Sequence, residues 1–169
     1  MSLSDNPLGE INESSLLKLI ADREPEGKLI EYKRDQIGKS DNDKREFLYD
    51  ISSFTNTLGG DLILGMEANQ GIPTNLVGLP GIDPDAEILR LEQMARDGIR
   101  PPIFGLHTVP VPLRNGNVAL VMRIPKSWNP PHQVTYQKAF RVYGRDSNGK
   151  YQLDVDELRS VFWSFGYCC

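Results

Sequence analysis

The chain has 169 residues and a mass of 19.0 kDa, which is the usual size of a single domain. Hydrophobic residues make up 39 % and charged residues 25 %, a composition that excludes a disordered chain. The only two cysteines, Cys168 and Cys169, are adjacent, which excludes a disulfide framework and a four-ligand zinc site. No apolar run reaches the roughly 18–20 residues of a membrane span and the N-terminus lacks a signal-peptide pattern, so we expect a soluble, cytoplasmic protein without membrane contact.

The net charge of −4 argues against a generic nucleic-acid-binding protein, but the charge is unevenly distributed. Residues 114–150 contain seven basic residues and one acidic residue, Asp146, a net charge of +6, so the other 132 residues carry −10. This distribution is typical of a protein with one basic face. Chance clustering of surface cations is the alternative interpretation.

The first half of the chain alternates helical and extended patterns. Leu16, Leu19 and Ile20 predict an amphipathic helix over 13–22, and the alternation of 28–33 predicts a strand. Apolar residues at helical spacing predict a helix over 43–57 that ends at Gly59-Gly60. The short apolar run that follows predicts a strand over 61–67, buried on both faces.

The second half is mostly extended. Asp83-Pro84 and Gly98 mark the ends of a helix, because Asp caps a helix N-terminus and Pro suits its first turn. Asn115-Gly116 predicts a hairpin turn between strands 104–113 and 118–124. A strand over 134–145 and a helix that starts at Asp154, apolar at Val155, Leu158, Phe162 and Phe165, complete the chain. This order predicts an α/β (α+β) fold with a single mixed β-sheet and flanking helices.

Three groups of residues are candidates for chemistry. Glu31 and Lys33 lie two residues apart on a strand, so both side chains leave one face, and Glu26 precedes them. Carboxylates here would suit a divalent cation and the ammonium a phosphate, although a plain ion pair at the edge of a strand is the simpler interpretation. The second group is Gly65, unusual in a buried strand, with Glu67 at the strand's exit.

The third group lies on the predicted strand 134–145. Alternation would place Arg141, Tyr143 and Arg145 on one face, where guanidinium groups beside an aromatic ring suit phosphates and bases. The alternative is that Tyr143 packs internally while the arginines pair with acids.

Taken in order, these residues resemble the Schlafen/AlbA-type DNA-binding domain family. The matching motifs are Glu26 with Glu31-Tyr32-Lys33, Asn56-Thr57-Leu58-Gly59-Gly60, Leu62-Ile63-Leu64-Gly65, Pro130-Pro131-His132 and Tyr143-Gly144-Arg145. The resemblance implies a nucleic-acid-binding domain over 13–165, flanked by tails at 1–12 and 166–169. Position 169 is a candidate truncation point of a longer protein.

The resemblance also implies a function and its alternatives. Bacterial members are commonly modules of transcriptional regulators, some with an ATP-binding label, so we expect a DNA- or RNA-binding homodimer in which Lys126, Lys138, Arg141, Tyr143 and Arg145 contact nucleic acid. Animal Schlafen proteins cut structured RNA with three carboxylates. By that resemblance, Glu26, Glu31 and Glu67 would be ligands of Mg²⁺ or Mn²⁺, with Lys33 as a fourth catalytic residue. Glu67 is the only acid in its segment, which departs from the family's usual Asp. A protein-interaction or oligomerisation domain, and a nucleotide site near Gly59-Gly60, are further alternatives.

Overall fold

The computed structural model describes residues 3–165. Its α-helices are α1 (Glu13–Ala21), α2 (Asp41–Thr55), α3 (Pro84–Gly98) and α4 (Val155–Phe165). Its strands are β1 (Ile30–Lys33), β2 (Gly60–Leu64), β3 (Met66–Asn69), β4 (Ile72–Leu76), β5 (Ile99–Arg100), β6 (His107–Pro112), β7 (Val118–Ile124), β8 (Gln133–Val134), β9 (Tyr143–Asp146) and β10 (Gly149–Gln152). Among these helices, none is long and apolar enough to cross a membrane.

The helices begin where the sequence provides caps. Asp83 accepts hydrogen bonds from the first amides of α3, with Pro84 in the first turn, as predicted. Asp154 and Glu157 cap α4 reciprocally, and Ser40 with Asp43 caps α2 in the same way.

A four-stranded mixed sheet in the order β1-β2-β7-β6 forms the centre of the fold, which confirms the predicted class. β1 and β2 are parallel, and the β6-β7 hairpin continues the sheet in antiparallel pairing. One face packs against α2 and α3, through residues such as Leu62, Phe54 and Leu91. The other face packs against α1 and the N-terminal segment, through Ile63, Tyr32 and Leu16. Ile30 and Tyr32 point into this second core, so Glu31 and Lys33 face the α2 side, as the alternation predicts.

The predicted strand over 134–145 is wrong. Gln137, Lys138 and Phe140 have φ values of 50°, 58° and 46°, in the left-handed region that an extended strand does not use. The segment therefore divides into β8, a 3₁₀ turn at Tyr136–Lys138 and β9. Of these pieces, β9 pairs with β10, and this hairpin lies against α2.

Both ends of the described chain differ from expectation. Residues 3–12, predicted as a tail, form two 3₁₀ turns with Leu3 and Ile11 buried. Helix α4 forms as predicted, but Val155 and Phe162 are largely exposed rather than packed in the core. The predicted C-terminal tail, 166–169, lies outside the described residues.

Candidate functional site: a charged cleft and a basic surface

The Asn56-Thr57 motif after α2 ties distant segments together. The Asn56 amide donates to the carbonyls of His132 and Tyr143, both at 2.9 Å, and its oxygen accepts from the His132 amide at 2.7 Å. The Thr57 hydroxyl accepts from the Arg145 amide at 3.0 Å. These bonds fix the start of β9 against α2, so the motif positions the site rather than forming its surface.

The glycines of the motifs permit close backbone approaches. Gly65 has φ +95°, and a Cβ there would lie 2.8 Å from the Gly78 Cα. Its carbonyl accepts from the Val77 and Gly78 amides, so the chain bends away at this point. The strand predicted over 61–67 is therefore split into β2 and β3.

An open cleft of about 550 Å³ lies beside β1. It is lined by Glu26, Glu31, Asp50 and Lys150, between the Gln70-Gly71 turn and the β9-β10 turn. The structure thus brings together two of the predicted carboxylates, Glu26 and Glu31, and adds Asp50. Glu67 does not line this cleft; its carboxylate lies 3.6 Å from Arg34.

The carboxylates of the cleft are paired with cations of the chain. Arg145 Nη2 lies 2.5 Å from Glu31 Oε2, and Lys33 Nζ lies 3.4 Å from Glu31 Oε1. Asp50 is only 1 % exposed and forms ion pairs with two lysines. Lys150 Nζ lies 2.7 Å from Asp50 Oδ1, and Lys33 Nζ lies 3.1 Å from Asp50 Oδ2. The Lys33 contact does not have the geometry of a hydrogen bond, so among the described residues Asp50 Oδ2 has no hydrogen-bond donor. We call Glu31, Lys33, Asp50, Arg145 and Lys150 the charge network.

Arg145 is the most enclosed member of the charge network. Its side chain is fully buried, with Nε donating to the Gly27 carbonyl at 2.9 Å and Nη1 to the Ser53 hydroxyl at 3.3 Å. The guanidinium carbon lies 4.0 Å from the centre of the Phe54 ring. Arg145 therefore does not share an exposed face with Arg141 and Tyr143, and the predicted arrangement of these three residues is wrong.

The surroundings of the cleft change the acidity of its members. Burial by itself would lower the pKa of Lys33, but Asp50 and Glu31 outweigh it and the pKa is raised. The pKa of Lys150 is raised in the same way, against burial, by Asp50 and Glu46. Both ammonium groups therefore stay charged at neutral pH. Burial raises the pKa of Glu26, and the nearby Glu31 charge adds to this effect, against the hydrogen bond that Glu26 accepts from the Tyr32 amide.

This arrangement does not fit a resident divalent cation. Glu31 and Asp50 already have arginine and lysine partners, so a metal ion would have to displace them. Across residues 3–165, no three acidic, histidine or cysteine side chains are grouped as a metal site. The predicted set of Glu26, Glu31 and Glu67 is not assembled, because Glu67 lies elsewhere.

Sequence reasoning missed Asp50 and the role of Lys150. A signal existed: Glu46, Asp50 and Ser53 form a polar stripe at helical spacing on α2, beside the apolar residues of its core face, and Thr57 continues the same spacing just beyond the end of the helix. Each of these four residues contacts Lys150 or Arg145. A polar stripe that faces a buried arginine is therefore the feature that defines this side of α2.

The basic segment 114–150 does not form a continuous basic face. Four of its cations pair with acids: Arg114 with Glu13, Arg123 with Asp61, Arg145 with Glu31, and Lys150 with Asp50 and Glu46. Lys126, Lys138 and Arg141 are exposed, and among residues 3–165 none of the three forms an ion pair.

Two of these cations join a surface that includes the start of α2. Arg45 Nη1 donates to the Gln137 side chain at 3.1 Å, and Lys44 Nζ lies 6.0 Å from the centre of the Tyr136 ring. The Tyr143 ring stacks on Tyr49 with centres 4.2 Å apart, and a hydrogen bond with Tyr143 raises the pKa of Arg141. We call Lys44, Arg45, Lys138 and Arg141 the basic surface; within the described residues, none of the four has a carboxylate oxygen within ion-pair distance. The Asp41 carboxylate lies near it and accepts a hydrogen bond from the Tyr136 hydroxyl at 2.7 Å, and the pKa of Asp41 is lowered by its hydrogen bonds with Tyr136 and Gln137 and by the charges of Lys44 and Arg45.

Comparison with known proteins identifies the class. The family model described as Schlafen, AlbA_2 matches residues 26–154, three quarters of the chain. The chain therefore belongs to the Schlafen AlbA_2 family. No curated protein matches the chain at a significant level.

Solved structures share the fold. The DIP2311 protein from Corynebacterium diphtheriae aligns with a TM-score of 0.56 and 16 % identity, over 82 % of this chain but only 29 % of that one. The N-terminal domain of a protein from Nitrosomonas europaea, described as related to the ATP-dependent DNA helicase RecG, aligns with a TM-score of 0.52 and 21 % identity. That match covers 69 % of this chain and 74 % of the other.

Proposed function

We propose that this chain is a nucleic-acid-binding module that holds DNA phosphates on the basic surface. The observation that carries the proposal is that Lys44, Arg45 and Arg141 lie around the Tyr136-Gln137 turn and the Tyr49-Tyr143 stack, next to the exposed Lys138, and that within the described residues none of the four forms an ion pair. One acidic group, Asp41, lies near Lys44 and Arg45. Unpaired cations beside aromatic rings suit a phosphate backbone.

Two further observations support this proposal. The structural relative from N. europaea is described as related to a DNA helicase. Within residues 114–150, four cations are paired with acids, whereas Lys138 and Arg141 are exposed and form no ion pair, so these two remain available to a phosphate. A role within a longer regulator, and pairing of two copies, are part of the same proposal.

The experiment is fluorescence anisotropy with labelled duplex DNA, single-stranded DNA and folded RNA over a range of salt concentrations. We expect binding to weaken steeply with salt, because phosphate contacts release counterions. Alanine at Lys138 or Arg141 should weaken duplex binding similarly across sequences and reduce the salt slope by about one for each phosphate that is no longer neutralised.

Lys18→Ala is the matched control, since Lys18 is an exposed lysine of α1 on the other side of the sheet. It should leave affinity within a factor of about two, as expected for a change in distant charge at moderate salt. Affinity that does not respond to salt, or an equal loss in Lys18→Ala and Lys138→Ala, would contradict the proposal.

A further inference from the structure

Two exposed aromatic side chains line one small cleft, which is separate from the residues of the basic surface. Trp128 is 95 % exposed and Phe104 is 86 % exposed, and both line a cleft of about 150 Å³ together with Lys126. Single exposed aromatics are ordinary on protein surfaces, but two that line the same cleft need an explanation. We call Phe104, Lys126 and Trp128 the aromatic cleft.

A buried histidine holds the two loops of the aromatic cleft in place. His132, 3 % exposed, donates from Nδ1 to the Pro101 carbonyl at 2.6 Å, in the loop that carries Phe104. Its Nε2 accepts from the Ser127 hydroxyl at 2.5 Å, in the loop that carries Trp128. A carbonyl only accepts, so Nδ1 carries a proton, and because burial lowers the pKa of His132, the neutral Nδ1–H tautomer is favoured.

Further hydrogen bonds attach the Trp128 loop to α2. The Ser127 amide donates to the Thr55 carbonyl at 2.9 Å, and the Thr55 hydroxyl donates to the Pro125 carbonyl at 2.9 Å. The Asn129 amide donates to the Ser127 hydroxyl at 2.9 Å. The exposed indole therefore stands on a fixed loop, which lowers the entropy lost when a ligand stacks on it.

The size and charge of the aromatic cleft select its occupant. The cleft has the volume of about five water molecules, which admits one planar ring but not a helix of ~10 Å diameter. Within residues 3–165, no carboxylate lines it, and Lys126 is exposed and without an ion pair. A ring that carries a negative group nearby matches this combination.

We propose that the aromatic cleft binds an unpaired base of single-stranded nucleic acid, stacked against Trp128 and Phe104, with Lys126 facing the adjoining phosphate. This inference rests on the proposed function and adds to it that unpaired bases are part of the ligand. Stacking recognises any base, because every base has a π-face, so we expect little sequence preference.

The experiment uses Trp128 as its own probe. The chain has two tryptophans, so a Trp163→Phe variant leaves Trp128 as the only indole, and Trp163 is exposed on α4. We would titrate this variant with an oligothymidylate, with an abasic strand of equal length and charge, and with a duplex. The base-bearing strand should quench the indole emission, and the abasic strand should quench it much less.

Affinity measurements test the same point. Trp128→Ala should weaken binding of the oligothymidylate about 5- to 100-fold and leave duplex binding unchanged, and Trp128→Tyr should restore part of the loss. Leu89→Ala, at an exposed leucine of α3, is the control for loss of apolar surface and should have no effect.

The outcomes separate this inference from the proposed function. If single strands bind but the abasic strand binds and quenches equally, the base-stacking inference is overturned while the basic surface stands. A change in sedimentation of Trp128→Ala without a change in binding would make the cleft an interface between copies, and would also overturn it. If no nucleic acid binds even at low salt, both proposals fail.

Discussion

The charge network and the basic surface both contain lysines and arginines, but the two regions differ in how far these side chains are buried and in whether they pair with carboxylates. In the network, Arg145 is fully buried and every cation has a carboxylate partner. On the basic surface, Lys138 and Arg141 are exposed and, among the described residues, lack one. In this chain, the arginine of the Tyr143-Gly144-Arg145 motif is buried in β9 and paired with Glu31, whereas Lys138 and Arg141 nearby are exposed to solvent.

Helix α2 contributes to both regions from different positions. Lys44 and Arg45 near its start join the basic surface, while Asp50 and Ser53 further along face Arg145 and Lys150. A buried ion pair is costly to break, because removing one partner leaves a desolvated charge. An exposed cation costs little to remove. Stability and binding should therefore respond separately to mutations in the two regions.

The largest expected effect is that of Arg145→Ala on stability. The change leaves Glu31 without its closest cation and leaves a void beside Phe54. Breaking such a pair costs about 3–5 kcal/mol, which urea denaturation would measure. Arg141→Ala, the exposed control, should leave the urea midpoint almost unchanged.

Equal losses of stability in these two variants would break the comparison. A second result would also do so: a fully stable Arg145→Ala protein without nucleic-acid affinity would place Arg145 on the binding surface, as the sequence pattern indicates.

Asn56→Ala should have the next largest effect. Asn56 makes three hydrogen bonds to the backbone of His132 and Tyr143, and their loss leaves partly buried groups unpaired. We expect a loss of about 2 kcal/mol in the free energy of unfolding. Because the same bonds hold β9 and the His132 loop, binding to both nucleic-acid sites should weaken too. Asn148→Ala, at an exposed turn, is the control; an unchanged stability in Asn56→Ala would show that the motif does not hold these segments.

The sequence predicted the elements whose signals are local. The cap at Asp83, the helix start at Asp154, the Asn115-Gly116 hairpin and the alternation of β1 are each encoded within a few residues, and each is confirmed. The strand over 134–145 was wrong because its apolar alternation did not reveal the left-handed residues at 137–140.

The site was less predictable, because its partners are distant in sequence. Glu31 and Arg145 are 114 residues apart, and Lys33 and Asp50 belong to different elements. Spacing alone can place Glu31 and Lys33 on one face, but only the packed structure shows that Arg145 pairs with Glu31 and that Asp50 lies beside Lys33. The polar stripe on α2 could have identified Asp50 from the sequence. Nothing in the sequence could have placed Lys44 and Arg45 on the basic surface, because their neighbours there, such as Gln137, are distant along the chain.

A smaller effect is expected from Glu26→Gln, with a defined pH dependence. The pKa of Glu26 is raised above its usual value near 4.5, mainly by burial, so the folded state holds this proton more tightly than the unfolded state. The tighter binding of this proton contributes fully to the free energy of unfolding below about pH 4.5, and this contribution is lost as the pH rises through the folded-state pKa of Glu26. Glutamine carries no charge and still accepts the Tyr32 amide.

Glu26→Gln should therefore be more stable than the parent at neutral pH, by less than about 1 kcal/mol because the cleft is open to solvent, and equal to it near pH 4. Urea titrations at the two pH values would measure this difference. Glu10→Gln, at an exposed carboxylate, is the control and should show no gain. A destabilised Glu26→Gln at neutral pH would mean that its charge is used by a cation in the cleft.

The smallest expected effect is that of divalent metal on thermal stability. A ligand that binds the folded state raises the unfolding temperature, so millimolar Mg²⁺ or Mn²⁺ would report a metal site directly. Because Lys33, Lys150 and Arg145 already neutralise Glu31 and Asp50, we expect a shift below about 1 °C. A rise of several degrees, abolished in Glu31→Gln but kept in Glu67→Gln, would show that the metal displaces these cations at the cleft. The charge network would then be the resting form of a metal site, and cleavage of folded RNA with and without metal would become the next measurement.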